Sequence, residues 1–487
     1  MPVKINPKVS VCVVFVAAMF MSIMDTTIVN VALPDLGRQF GVASTSIDAV
    51  VVGYLISLAV IIPVSGWLGD QWGTRRVFLM ALGLFSLASA LCGLAQNLPM
   101  LIGFRVLQGI AGGAMTPVGT TILYRTFPPE ERVGVSRILN IPTVIAPASG
   151  PVIGGFLVQQ LSWRWVFYVN VPIGVAALLF GLLFLQEQPR EKSAGRFDPL
   201  GFVLAGSGLG LLMYALSEGP TYGWTTPGIY GSALVGLFLV ALFIVVELRA
   251  QEPMLDLRLL RNRLFCICNL VTMVSGAAFL GVLFVAPLFL QEARGASPLI
   301  SGLTTFPEAI GVVVATQIVA RMYPRIGPRR LTTFGLLGVS VMMFLLGALA
   351  LTSDLWVMRS LIFLVGAGMA FCFTSVQAAG FATITPAETG RASALNNVQR
   401  QIGSAMGVAI LSTVIGLVGP VTAGPHGGLQ PNLTAYHVAF IVAALLALTS
   451  AIIALFISDR DAAPSMKLRK SREEQAAQAE ILLEVSK

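Results

Sequence analysis

The stretch Gly66-Trp-Leu-Gly-Asp70-Gln-Trp-Gly73-Thr-Arg75-Arg76 interrupts apolar sequence with one acid, three glycines and two arginines, and an apolar run of about 20 residues stands on each side of it. A hydrocarbon core about 30 Å thick is crossed by about 20 residues of helix rising about 1.5 Å each. The stretch therefore reads as a short loop between two membrane-spanning helices, and runs of the same length recur along the whole chain. Only 11% of the 487 residues are charged, and the mean hydropathy is +0.83. That composition excludes a soluble multidomain protein. A closed β-barrel would show short alternating segments, which the sequence lacks. The first apolar run, from Val9 to Leu33, is too long for the core of a signal peptide and carries no small-residue cleavage site, so it counts as the first span.

Working outward from that loop, apolar runs between charged or Pro/Gly-rich breaks lie near 11–33, 47–68, 77–97, 100–122, 138–158, 166–186, 199–217, 228–247, 264–290, 299–320, 331–351, 356–380, 394–418 and 436–457. The expected fold is an all-α membrane protein of fourteen spans. Of the 31 Lys and Arg residues, only Arg38, Arg164 and Arg294 fall on one side of this alternation and Arg105, Arg359 and Arg400 within spans. All the others share the side of Arg75 and Arg76. By the positive-inside rule that side is cytoplasmic and so are both termini, in an inner (plasma) membrane. The tail after Ser458 mixes both charges and reads as a solvated helix or an unstructured segment.

Two matches repeat at one spacing of 254 residues. Arg105, Gly112 and Met115 return as Arg359, Gly366 and Met369, and Gly73-Thr-Arg75-Arg76 returns as Gly327-Pro-Arg329-Arg330. Both argue for a duplicated chain, because a parallel repeat puts equivalent loops on the same side. The expected units are a six-helix bundle over 1–190, an inserted hairpin of two spans with its linkers over 191–262, a second six-helix bundle over 263–458, and a cytoplasmic tail over 459–487. Such halves enclose a central site near the bilayer midplane.

Charge at membrane depth is costly, about 2.5–3.5 kcal/mol per residue at a helix centre, and so marks candidates for function. Asp25 lies about eight residues from the outer end of the first span, and Arg105 comes within about 5 Å of it in depth at about 1.5 Å per residue. The two are expected to share a polar network, either as a proton-coupling pair or as a structural ion pair. Glu308, after Pro307 in the tenth span, is the other acid at such depth; the residues admit proton or cation binding and equally an acid lining a water-filled vestibule. Arg400, with Asn397 and Gln401, sits about six residues from the inner end of the thirteenth span, where snorkelling competes with a place in the substrate cavity. Asn30 and Gln108 complete the candidate cavity residues. Asp70 is placed to pair with Arg75 or Arg76 or to cap a neighbouring helix, as a conformational latch formed with Gly66 and Gly73; the equivalent of Asp70 in the second half is Pro324, so that latch is one-sided.

Other features exclude more than they assign. Cys12, Cys92, Cys266, Cys268 and Cys372 lie in or beside apolar runs and read as small core residues, not metal ligands. The net charge of +8 is spread over short loops and serves topology, not nucleic acid. No Walker motif or nucleophile elbow is present, so neither an ATP-driven pump nor an enzyme is expected, and no cofactor; the energy source is an ion gradient. Trp163, Trp165 and Tyr168 read as an interfacial aromatic belt and His437 as an interfacial residue.

Four stretches carry a family resemblance: Asp25-Thr-Thr-Ile-Val-Asn30-Val-Ala-Leu-Pro34 in the first span, the loop Gly66 to Arg76, Arg105-Val-Leu-Gln108-Gly109 in the fourth span, and Gly150-Pro151-Val-Ile-Gly154-Gly155 in the fifth. The run Trp163 to Pro172 adds to them. Together they resemble the major facilitators, and specifically the fourteen-spanning drug:proton antiporter family. The resemblance implies export of amphipathic drugs or other hydrophobic or cationic small molecules in exchange for protons, by a monomer whose partners are its substrate, protons and lipid. It also implies that Gly150, Pro151, Gly154 and Gly155 control closure of the cavity. Two alternatives stand beside it: a dedicated exporter of an endogenous metabolite, lipid or siderophore, and a non-transporting sensor or binding scaffold.

Overall fold

The computed structural model describes residues 6–42, 47, 49–128, 131–187, 197–250, 253–351, 353–419, 421–423 and 429–466. Long helices follow one another in the expected order: α1 (Pro7–Phe40), α2 (Ala49–Trp72), α3 (Thr74–Leu94), α4 (Leu98–Thr126), α5 (Arg132–Gln160), α6 (Trp165–Phe184), α7 (Pro199–Tyr222), α8 (Pro227–Arg249), α9 (Arg263–Ala293), α10 (Ile300–Ile326), α11 (Pro328–Leu346), α12 (Leu355–Gly380), α13 (Thr389–Val418) and α14 (Leu433–Ala454). Among the described residues thirteen of these are long and apolar enough to cross a bilayer, and α5, 29 residues long, completes the expected set.

Helix ends follow local chemistry. Asn6, Asn97, Asp198, Asn262 and Asp354 each accept a hydrogen bond from a first-turn backbone N–H of the helix that follows. The first span runs beyond the expected 11–33 because Asn6 caps it early and Gly41, at φ 63°, stops it in the left-handed conformation. Prolines bend rather than end the later spans: α9 closes with a π turn over Phe289–Ala293 two residues after Pro287, and α10 turns at Phe306 before Pro307.

The duplication is visible in the packing. In the first half α2 packs on α4, α3 on α4, α1 on α5 and α6, and α3 on α6; in the second, α10 packs on α12, α11 on α12, α9 on α13 and α14, and α11 on α14. The equivalent loop glycines Gly73 and Gly327 take φ of 92° and 85°, which only glycine adopts without strain. Between the halves α13 packs on α2 and α4, and its counterpart α5 packs on α10 and α12. The pair α7 and α8 lies outside the first of these seams: α7 meets α2, with Gly206 against Val60, and Trp224 Nε1 in the α7–α8 turn donates to Thr413 Oγ1 of α13 at 2.8 Å.

At the end of the bundle that carries Arg75 and Arg76, the basic end, the halves are sealed. The rings of Tyr124 and Phe381 stack at 4.4 Å, Ser393 Oγ of α13 donates to the Pro117 carbonyl of α4 at 2.8 Å, and Arg125 Nε donates to the Pro386 carbonyl at 3.3 Å. The tail departs from expectation. Its first residues are only partly solvated: Arg460 and Asp461 are exposed, but Ala462 and Ser465 are buried, Ser465 Oγ and Tyr323 Oη share a hydrogen bond of 2.8 Å, and Asp459 accepts from the Arg329 N–H at the start of α11 at 2.9 Å. Beyond Met466 the tail lies outside the described residues. A two-stranded hairpin, Val421–Ala423 with Leu429–Pro431, joins α13 to α14 and had no signal in the hydropathy pattern.

Candidate functional site

Asp25 stands in the middle of α1, where no water reaches it: its relative exposure is 0%, as is that of Arg105 on α4. Three N–H donors converge on its carboxylate. Arg105 Nη1 reaches Oδ2 at 2.5 Å, while Gln108 Nε2 and Asn170 Nδ2 each reach Oδ1 at 2.9 Å. The same Arg105 nitrogen donates to Gln108 Oε1 at 2.7 Å, and Arg105 Nε donates to the Val50 carbonyl of α2 at 3.2 Å. Its guanidinium lies 4.3 Å from the Tyr54 ring centroid. Ser89 of α3 accepts from Asn170 Nδ2 at 3.1 Å and donates to the Phe167 carbonyl at 2.8 Å. Five helices of the first half thus meet in one polar knot, and charge-assisted bonds of this kind are the strong ones.

The helices come close enough for this because α4 is small where it crosses α2. A Cβ on Gly109 would meet the Tyr54 carbonyl at 2.4 Å, and one on Gly113 the Leu58 carbonyl at 2.5 Å. Gly150 and Gly154 serve α5 in the same way against α1: added Cβ atoms would lie 2.1 Å from Thr27 Oγ1 and 2.9 Å from Ile28 Cγ1. Gly155 has open space at that position, and the side chain of Pro151 lies outside the described residues. The glycine face of α5 is therefore spent on α1, within the first half.

Asp70 takes the expected place at the start of a neighbouring helix, but its cation is Arg125, not Arg75 or Arg76. Arg125, in the last turn of α4, donates to Asp70 Oδ1 at 2.8 Å, whereas Arg75 Nη2 donates to the Leu182 carbonyl of α6 at 2.8 Å. The reason is geometric: Arg75, at the start of α3, leans back over α6, while Arg125 ends α4 beside the end of α2. A Cβ on Gly390 would lie 3.2 Å from both Asp70 oxygens, and one on Gly66 would lie 2.9 Å from the Gly390 carbonyl. Asp70 therefore sits at the N-terminal turn of α13, where the helix dipole favours a carboxylate. Arg125 then ties the acid to the second half through Pro386.

In the second half Glu308 is buried to 4% exposure, and its Oε1 has no partner among the described residues. It occupies the side of α10 away from the exposed stripe Leu303, Phe306, Ile310, Val314 and Ile318, and a Cβ on Gly366 of α12 would meet its carbonyl at 2.1 Å. Asn397 is buried, Arg400 and Gln401 are half-buried, and Asn30 is exposed and joins none of these groups. Trp163 is 3% exposed, packed edge-on to Phe40 and Phe167, so only Trp165 has the exposure of an interfacial anchor. His437 meets the Leu349 carbonyl at 2.7 Å. Reading the sequence missed Arg125, Asn170, Ser89 and Tyr54. A basic residue in the last turn of α4 is the one signal that pointed to any of them, and it was absorbed into the general positive charge of that face.

Comparison with known proteins places this architecture. Residues 15–408 match the family model described as Major Facilitator Superfamily. A multidrug resistance protein B homolog of Mycobacterium tuberculosis is 32% identical over 407 residues, covering 82% of this chain and 75% of that protein. The putative multidrug resistance protein MdtD of Escherichia coli is 31% identical over 428 residues, covering 87% of this chain and 90% of that one. Among solved structures the human organic anion transporter MFSD10 superposes with a TM-score of 0.68 at 16% identity, over 92% of this chain and all of that one, a likeness of fold alone.

Proposed function

Because this chain belongs to the major facilitator superfamily, we propose that it is a proton-driven antiporter that exports amphipathic small molecules, hydrophobic or cationic, across the plasma membrane. Transport is the business of the family; the direction, the coupling ion and the substrate class are the proposal. The observation that carries it is the sealed Asp25–Arg105 pair, with Gln108 and Asn170 completing the cage around the carboxylate. An ion pair of this burial is weak support for stability, since an apolar core of equal volume does as well. Its value lies in being switchable. With the basic end in the cytoplasm, the halves are closed inward; opening would move α1 relative to α4 and α6, separate Asn170 and Arg105 from Asp25 and change the affinity of the acid for a proton. Glu308, without an ion-pair partner among the described residues, is the second acid placed to take a proton or a substrate cation. The multidrug resistance names of the relatives support a broad drug-like cargo. The molecule acts as a monomer, with both termini cytoplasmic.

The test is efflux of ethidium from proteoliposomes under an imposed pH gradient, with pH recorded on both sides. Asp25→Asn is expected to abolish gradient-driven efflux and substrate-induced proton release while ethidium binding persists. Efflux and proton release equal to the parent protein would reject Asp25 as the coupling acid.

A further inference from the structure

On α13, Ser393, Asn397, Arg400 and Ser404 follow at steps of four, three and four, so they share one face of the helix. Where that face points is fixed at its first member, whose hydroxyl bonds Pro117 of α4 in the other half. The flanks are filled. On one side Gly403 and Gly407 press on the Met273 and Ala277 carbonyls of α9; on the other, Val398 packs with Ile62 and Leu209 of α2 and α7. Arg400 therefore stands on the face that meets the seam between the halves, two turns beyond the sealed contact. Eleven residues of helix separate it from Thr389, a rise of about 16 Å from the start of α13.

Its hydrogen bonds orient the guanidinium without neutralising it. Arg400 Nη2 donates to Asn397 Oδ1 at 3.0 Å, Asn397 Nδ2 donates to the Ser393 carbonyl at 2.8 Å, and Ser404 Oγ donates to the Arg400 carbonyl at 2.8 Å. Arg400 is in none of the ion pairs Lys8–Glu131, Arg38–Asp35, Arg105–Asp25 and Arg125–Asp70, and no described acid pairs with it. A charge kept at mid-depth without a counter-charge costs about 2.5–3.5 kcal/mol, and a planar guanidinium matches a carboxylate or sulfonate with two parallel donors.

We infer that Arg400, positioned by Asn397, is an anion-recognition site in the seam, and that the substrates of this transporter include amphiphiles bearing a carboxylate or sulfonate. The inference rests on the transport reading above and adds to its hydrophobic and cationic cargo a class that Glu308 cannot bind. Fluorescein and rhodamine 123 share a xanthene frame and carry opposite charge, and their binding to the full-length chain in phosphatidylcholine nanodiscs is measured by fluorescence anisotropy. Arg400→Gln is expected to weaken fluorescein binding about tenfold or more and rhodamine 123 binding less than about twofold. Arg400→Lys recovers part of the loss, and Asn397→Ala, which keeps the charge but frees the guanidinium, gives an intermediate one. Unchanged fluorescein binding in Arg400→Gln, or no fluorescein binding by the parent protein, overturns the inference; if Arg400→Gln does not fold, unchanged fluorescein binding in Asn397→Ala overturns it. Equilibrium binding needs no proton gradient, so a protein that binds fluorescein through Arg400 yet fails in ethidium efflux loses the export reading alone.

Discussion

The two halves share a backbone plan and differ in what they do with charge. In the first, Asp25, Ser89 and Gln108 surround Arg105, and Tyr54 covers it. At the positions 254 residues later the second half has Phe279, Met343 and Ile362, all buried and apolar, and Glu308 stands where Tyr54 does. The repeat mate Arg359 lies half-buried over the Trp356 ring at 4.7 Å. The tight glycine survives in both copies, Gly112 under Tyr54 and Gly366 against Glu308. Duplication has kept the helix approach, which only small residues permit, while the charges have been redistributed: cancelled within one half, left open in the other. A half that holds an acid against its own cation can switch that pair as its helices shift; the other can offer its charges to a ligand.

The largest effect that would break this comparison comes from the paired arginines. Arg105→Gln leaves Asp25 buried without its cation and is expected to cost about 3–5 kcal/mol. Arg359→Gln loses a cation–π contact of about 0.5–1 kcal/mol. Unfolding midpoints in one detergent order the two, and equal losses would mean that the halves are not specialised as described. The acids give the next contrast. Asp25→Asn strands Arg105 and should approach the cost of Arg105→Gln, whereas Glu308→Gln removes an acid whose Oε1 has no partner among the described residues and should leave stability within about 1 kcal/mol of the parent or raise it. A Glu308→Gln protein as unstable as Asp25→Asn would reveal a partner that the described residues do not supply.

Much of this was legible in the sequence, for identifiable reasons. Spans and loops follow from hydropathy because lipid enforces helices, and the meeting of Asp25 with Arg105 follows from depth alone, since two buried charges at one level in one bundle have few other places to go. The latch partner was not legible. Asp70, Arg75, Arg76 and Arg125 all lie at the same depth, and only rotation about the helix axes, which hydropathy does not encode, decides that Arg125 faces Asp70 and Arg75 faces Leu182. Asn170 was hidden for a similar reason: a polar residue next to a break in α6 looks like an interfacial one until the break turns it inward.

The smallest predicted effects concern two acids at the basic end, Asp70 and Asp459, and they sharpen the comparison most finely. Asp70 bonds Arg125 and lies against Gly390, so it acts across the seam. Asp459 supplies to the Gly327 loop the acid that Pro324 cannot, but it reaches α11 from the end of α14 and so acts within one half. Arg125→Gln should loosen the basic end: a cysteine placed by Ser393→Cys, in a chain with its native cysteines replaced, is buried in the parent and should react several-fold faster with a maleimide once that contact weakens, as about 1.4 kcal/mol shifts such an equilibrium tenfold. Asp459→Ala removes a helix cap worth about 0.5–2 kcal/mol and should lower the unfolding midpoint slightly. It should leave the labelling rate at Ser393→Cys where it was, because no bond between the halves has been touched. Faster labelling in Asp459→Ala would mean that the docked tail restrains the seam, and the division between an acid that joins the halves and one that braces a single half would have to be abandoned.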